Sequence, residues 1–384
     1  MAQVPENSPQ IAKWLKLIRA EGIGPVSLGR LLARFGSVDA ILDASVNGLT
    51  KVEGIGFKTA ERTAATRDRF DADEELGLAR KLGVWLLHLQ DERYPTLLKQ
   101  IYDPPPVLYL RGALTRSDTL GVAIVGSRRC SLYGQEQAAR LAHLLAAAGF
   151  TIVSGLARGI DSAAHQGALA AQGRTLAVQG RGLAGVFPPE NEKLAELIGA
   201  GGACISELPL RYEPLAENFP PRNRIIAGLS LGTIVIEAGL RSGALITART
   251  ALESDREVMA VPGKIDSPLS RGAHTLIKQG ARLIDSVEDV MEALGYVGER
   301  LKDHTAQAGR EAAEKVEASL FETAPLNLKG HEKQIHAVLT AEPAHVDQII
   351  GATDLPPGAV NAALIALRLK GLIRQMPGNR FARG

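Results

Sequence analysis

The chain has 384 residues, 45% hydrophobic but only 4% aromatic, with a formal net charge of +2. That length exceeds one ordinary core, and the scarcity of aromatic residues points to packing by Ala, Leu, Ile and Val, favouring helices on a parallel sheet over an aromatic-rich sandwich. So small a charge requires any basic site to be local. Two cysteines, Cys130 and Cys204, exclude a disulfide framework and a zinc set. Residues Met1 to Gln10 lack an apolar signal core and no run is long enough to span a bilayer, so the expected location is the cytoplasm, with no membrane partner.

In chain order, residues 11–70 read as short helices with two similar turns, Gly22-Ile23-Gly24 and Gly54-Ile55-Gly56. The pair is similar to a helix-hairpin-helix, whose turn amides can hold a DNA phosphate. A small helical bundle is the alternative, because Glu21, Asp39, Asp43 and Glu53 dilute the basic character. This gives a helical domain over 1–75. Prolines between Tyr94 and Tyr109 then predict an extended strap laid on the next domain. From Gly121 to Leu294, short apolar runs at 122–125, 151–153, 175–178, 203–205, 233–236 and 258–261 alternate with alanine-rich helical stretches. Strands apolar on both faces, joined by helices, mean an α/β fold with a Rossmann-like, doubly wound parallel sheet, assigned to residues 76–297. Residues 298–325 read as a polar linker. In 326–384, helices at about 331–340, 344–351 and 357–370 and a hairpin across Pro377-Gly378 predict a winged helix.

Ligands of such sheets bind beyond the carboxyl ends of the strands. The first strand ends in Gly126-Ser127-Arg128-Arg129, where Gly126 would let a phosphate approach the backbone and Arg128 would supply charge. The second ends in Ser154-Gly155 and carries Arg158 into a helix. Asp161 and His165, four apart on that helix, fit an N-cap and an internally bonded histidine better than a metal pair. Ser242-Gly243 and Lys264 follow later strands. The most informative segment is Phe219-Pro220-Pro221-Arg222-Asn223-Arg224, which places two guanidiniums close together behind an aromatic ring. They repel unless an anion lies between them, and arginine forks suit phosphate as the ring suits a base. The alternative is a helix start whose arginines pair with distant carboxylates. Cys130 reads as a bystander thiol, and Glu237 is the one carboxylate placed like a catalytic group.

These loops, with Tyr94-Pro95, Asp103-Pro104-Pro105, Ser242 to Ala248 and Val261-Pro262-Gly263 in the same order, carry a resemblance. From about residue 94 to 290 the chain resembles the DprA/Smf family of DNA-processing proteins of natural transformation. The resemblance implies a non-catalytic, cofactor-free protein that binds and protects incoming single-stranded DNA and loads the recombinase RecA. It also implies a homodimer through the Rossmann-like domain, flanked by a sterile-alpha-motif-like helical domain and a winged helix. Carried over by residue, the DNA site would use Gly126, Ser127, Arg128, Gly155, Phe219, Arg222, Asn223 and Arg224. Strand-end position adds Arg158, Ser242, Gly243 and Lys264. Ala184 and Phe187 stand where the family usually has Asp and Tyr, and Glu213 and Glu217 place acids on the rim before Phe219. The runner-up is a Rossmann-like nucleotide phosphoribohydrolase using Glu237 and Arg222. In the winged helix, the apolar segment Pro357 to Lys370 has few groups for base edges. Arg368, Lys370, Arg374 and Arg380 fit contact with a duplex backbone or a protein.

Overall fold

The computed structural model describes residues 6–295, 330–340, 344–353, 355–369, 372–376 and 380–383. The expected linker, the wing turn at Pro377-Gly378 and Lys370 lie outside the described residues. The chain divides into two units, residues 1–146 with 150–285, and 286–384 with the turn 147–149.

The first unit begins with helices α1 (Ile11–Arg19), α2 (Pro25–Phe35), α3 (Val38–Leu42), α4 (Val46–Leu49), α5 (Phe57–Thr66) and α6 (Ala72–Lys81). The two expected turns precede α2 and α5. Gly22 and Gly54 sit at φ +89° and +84°, a left-handed backbone that glycine adopts without a Cβ clash.

A nine-stranded sheet follows, ordered β1-β2-β6-β5-β4-β3-β7-β8-β9. Its strands are β1 (Val84–His88), β2 (Val107–Gly112), β3 (Gly121–Val125), β4 (Thr151–Ser154), β5 (Thr175–Val178), β6 (Ala203–Ser206), β7 (Gly232–Val235), β8 (Glu257–Ala260) and β9 (Arg282–Leu283). Between them lie α7 (Thr96–Lys99), α8 (Leu132–Ala147), α9 (Ile160–Ala170), α10 (Glu192–Gly201), α11 (Phe219–Gly228), α12 (Ala244–Glu253) and α13 (Arg271–Lys278). From β6 to β9 across the sheet, neighbouring strands pair in parallel, as the apolar runs predict. The first strand of this parallel set, β3, lies between β4 and β7, so the strand order reverses there. That reversal opens a crevice at the carboxyl ends, the usual ligand position of such sheets.

Two features differ from the expectation. The strap is not wholly extended: it holds the one-turn helix α7, and its end is strand β2, starting immediately after Pro104-Pro105-Pro106. Its antiparallel partner is the unforeseen β1, with Leu86 opposite Tyr109. Alternation along β1 sends Val84 and Leu86 to one core and Trp85 and Leu87 to the other. The first core also contains Trp14, Leu31 and Leu49, so the N-terminal helices cover one face of the sheet. Trp14 stacks on His88 at 5.1 Å, and Leu86 N donates to Asn7 Oδ1 at 2.7 Å.

The second unit holds a helix α14 over 287–295, then α15 (His331–Val338), β10 (Ala344–His345), α16 (Val346–Gly351), α17 (Pro357–Leu369), β11 (Ile373–Met376) and β12 (Arg380–Arg383). Helices α15 to α17 and the three-stranded sheet β10-β12-β11 form the expected winged helix around Ile335, Ile349, Leu364, Leu367 and Phe381.

Candidate nucleic-acid interface

A cleft of about 720 Å³ opens at the strand-order reversal, where the loops after β3, β4 and β7 meet the start of α11. Ser127 N donates to Glu237 O at 2.7 Å and ties the β3 loop to the β7 loop. A Cβ on Gly126 would come within 2.5 Å of Ile160 Cγ1 and 2.9 Å of Glu237 O. Gly126 therefore lets the loops close on each other at the cleft wall. Ser127 Oγ accepts from Arg129 N at 3.1 Å, turning the chain so that Arg128 and Arg129 are exposed. Arg128 Cζ lies 4.9 Å from the Phe219 ring centroid, in cation–π range. Phe187 packs against the same ring at 5.7 Å, and a Cβ on Gly180 would sit 2.9 Å from it. The aromatic face is thus held from two sides.

Of the expected residues, the cleft brings together Gly126, Ser127, Arg128, Phe219, Arg222, Asn223, Ser242 and Gly243. Among the described residues its charged lining is Arg128, Arg129, Arg222 and Arg241 against the carboxylate of Asp161. Arg129 and Arg241 were not singled out from the sequence, though both follow the same rule of cations at strand ends. Among the described residues, Arg128, Arg129 and Arg241 form no salt bridge to a carboxylate.

The two arginines of α11 do not converge. Residues two apart on a helix point in nearly opposite directions. Arg222, 4% exposed, donates through Nη1 to Gly155 O at 2.7 Å and to Val178 O. Burial pushes its pKa down to about 10, against the pull of Asp161 and with the help of Arg128. Asp161 accepts from Gly155 N and Ala157 N at 3.2 and 3.3 Å. Burial raises its pKa, opposed by Arg222. Arg224 lies outside the cleft, its Nε 2.9 Å from Asp103 Oδ2 and its Nη2 2.7 Å from Glu207 Oε2. Burial alone would depress its pKa, but Glu207 and Asp103 together leave it raised. The anions that Arg224 requires are therefore the protein's own carboxylates, the alternative reading of that segment.

Three more expected residues stand elsewhere. Gly155 lies behind the cleft wall, where a Cβ would be 2.6 Å from Arg222 Nη1, so its bareness admits the guanidinium. Arg158 is exposed and paired with Glu190. Lys264 is exposed on the β8 loop and does not line the cleft. Glu237 accepts from Ser131 N at 2.8 Å and Ser131 Oγ at 2.6 Å, while Ser131 Oγ accepts from Gly134 N, so the carboxylate closes the start of α8. With Arg222 bound to carbonyls, both groups named for a hydrolase are engaged within the protein. Burial pushes the Cys130 thiol up, away from nucleophile range. His165 Nδ1 is 2.6 Å from Thr175 Oγ1, and burial pushes its pKa down to about 3. Among the described residues no cluster of His, Cys, Asp and Glu could hold a metal, and no helix is long and apolar enough to cross a membrane.

Comparison with known proteins bears on the family and the fold. The model of the family described as DNA recombination-mediator protein A matches residues 85–295. A DprA winged helix domain matches 321–379, and a SAM-like helix-hairpin-helix tandem matches 15–62. Protein Smf of Synechocystis sp. is 38% identical over 397 residues, covering 98% of this chain and 99% of that protein. Protein Smf of Escherichia coli is 36% identical over 369 residues, covering 95% and 94%. The X-ray structure of DNA processing protein A (DprA) from Streptococcus pneumoniae superposes with a TM-score of 0.64 at 36% identity, covering 73% of this chain and 97% of that one. By the near full-length match to the Smf proteins and by the family model's match to residues 85–295, the chain belongs to the DNA recombination-mediator protein A family.

Proposed function

We propose that the cleft binds single-stranded DNA and that the protein is a non-catalytic mediator in DNA processing during transformation, shielding the strand and delivering it to the recombinase RecA. The observation that carries this reading is Arg128 held 4.9 Å over Phe219 in a cleft with four arginines and one buried carboxylate. Phosphates fit the exposed guanidiniums and a base fits the aromatic face, a combination that tolerates any sequence. The volume lies in the range that encloses a small ligand, about 300–1,000 Å³. In this reading the Rossmann-like domain (76–297) is the DNA-binding and homodimer-forming part, and 298–325 links it to the winged helix (326–384), which contacts duplex backbone or a protein. The helical domain covers 1–75. The site of action is the cytoplasm.

The test is a salt titration of oligo-dT and duplex binding by fluorescence anisotropy. Arg128→Ala should weaken oligo-dT binding about tenfold, and the slope of log K against log salt should become shallower by about 0.7, the loss of one phosphate contact. Unchanged affinity in Arg128→Ala would falsify the assignment. Release of free base from a nucleoside monophosphate, abolished in Glu237→Gln, would instead establish the hydrolase reading.

A further inference from the structure

One wall of the cleft is attached to the N-terminal helices. The loop 207–218 joins β6 to α11, and its fully buried Leu210 donates from its backbone nitrogen to Oε1 of Glu75 on α6, at 2.8 Å. A carboxylate accepting a backbone N–H makes one of the stronger hydrogen bonds. The neighbouring residue repeats the link at the surface, where Arg211 Nη1 lies 3.2 Å from Glu74 Oε1. The other side of the loop is held by backbone bonds, Ala184 N to Leu210 O at 2.9 Å and Gly182 N to Tyr212 O at 3.0 Å. Gly182 leaves no slack there, since a Cβ would be 1.9 Å from Pro209 O.

Past Tyr212 the loop changes character. Leu215 N donates to Glu213 O, and residues 216–218 form a 3-10 turn that runs straight into α11. Yet this segment places Pro214 and Ala216 on the cleft and runs directly into Phe219. It spans two anchors, Leu210 upstream and the start of α11 downstream. Glu75 is half-buried beside the Tyr109 hydroxyl of β2 and Arg19 of α1, so its carboxylate has a defined place between helices and sheet.

We propose that Glu75 is a positioning residue for the cleft: through its bond to Leu210, the N-terminal helical layer fixes the upstream end of the rim that carries Pro214 and Ala216 and leads into Phe219. The proposal rests on the reading of the cleft as a strand-binding site. It gives the N-terminal helices a part in binding without any contact to the ligand.

The test has two arms on the full-length chain. In the free protein, Glu75→Ala should speed amide hydrogen exchange at Leu210 and across 210–219 about tenfold, leaving β3 and β4 amides unchanged. In oligo-dT titrations the same variant should bind about five- to tenfold more weakly, the worth of one hydrogen bond. Its salt slope should match that of the unaltered protein, because no phosphate contact is lost. Glu75→Gln keeps the accepting Oε1 and should restore both readouts to within about twofold. Glu75→Asp, one methylene shorter, should behave like Glu75→Ala and substitutes for it if that variant does not fold. Unchanged Leu210 exchange, faster exchange with unchanged affinity, or a Glu75→Gln variant as impaired as Glu75→Ala each overturns the proposal. If Arg128→Ala also leaves affinity unchanged, the strand-site reading has failed, and the exchange arm alone decides whether Glu75 holds the rim.

Discussion

The arginines of α11 and the arginines of the strand-end loops are the same residue type in adjacent walls, yet they serve opposite ends. Arg222 and Arg224 are 4% and 8% exposed; Nη1 of Arg222 donates to carbonyls, and Nε and Nη2 of Arg224 pair with carboxylates of the fold. Arg128, Arg129 and Arg241 are exposed on the cleft and have no carboxylate partner among the described residues. A buried guanidinium is costly unless the fold supplies partners for its charge, whereas an exposed one without a carboxylate partner keeps its donors for a ligand. Proximity to the cleft therefore does not identify a ligand contact; the partner of each donor does.

This contrast can be tested by separating stability from binding. The largest effect is expected for Arg224→Ala, which leaves Asp103 and Glu207 facing each other without their cation. Urea unfolding should show a loss on the order of 3 kcal/mol, and a melting midpoint unchanged from the unaltered protein would break the distinction. Next comes Phe219→Leu. It keeps an apolar group against Phe187 but removes the stacking face, so oligo-dT affinity should fall by about 2 kcal/mol, roughly thirtyfold, with an unchanged salt slope. An effect confined to the salt slope would reassign Phe219 from base to backbone.

Acid sharpens the buried side of the comparison. His165 has a folded pKa pushed down to about 3 from an ordinary 6.5, so the fold holds the neutral ring. Its contribution is complete above pH 6.5 and is lost as pH falls toward 3, because the unfolded chain takes up the proton first. Stability should decline through this window by up to about 1.4 kcal/mol per pH unit. Urea titrations at pH 7 and 5 should show that decline, shallower in His165→Asn. The smallest effect is expected at Arg158, exposed but already paired with Glu190. Arg158→Ala should leave oligo-dT affinity and salt slope unaltered, and a measurable loss of slope would bring Arg158 into the interface.

Much of the core was legible because its signals are local. Runs such as Val122 to Val125 and Thr233 to Ile236 are apolar on both faces and separated by helical stretches, and the structure pairs them in parallel. The β1-β2 hairpin was less legible. Val84 to His88 is too short for its apolar run to separate strand from buried helix, and the prolines after Asp103 point to a strap until β2 begins at Val107. Its consequence is physical: a fragment starting at residue 94 would lose β1 and expose Tyr109 and the face that the N-terminal helices cover. The glycines were visible too, but their purposes were not. Gly126 and Gly155 accommodate Ile160 and Arg222, contacts between loops more than thirty residues apart.

By itself, the sequence determined the α/β class, the winged helix, the family and the positions where loops leave the sheet, since periodicity and strand-end glycines depend on neighbours along the chain. Only the tertiary structure decided which arginine meets a ligand and which meets a carboxylate. Asp103 and Glu207 reach Arg224 from 121 and 17 residues away, and Glu75 reaches Leu210 from 135. No local pattern encodes such partners; they exist once the sheet order and the helical layer bring distant loops into hydrogen-bond range.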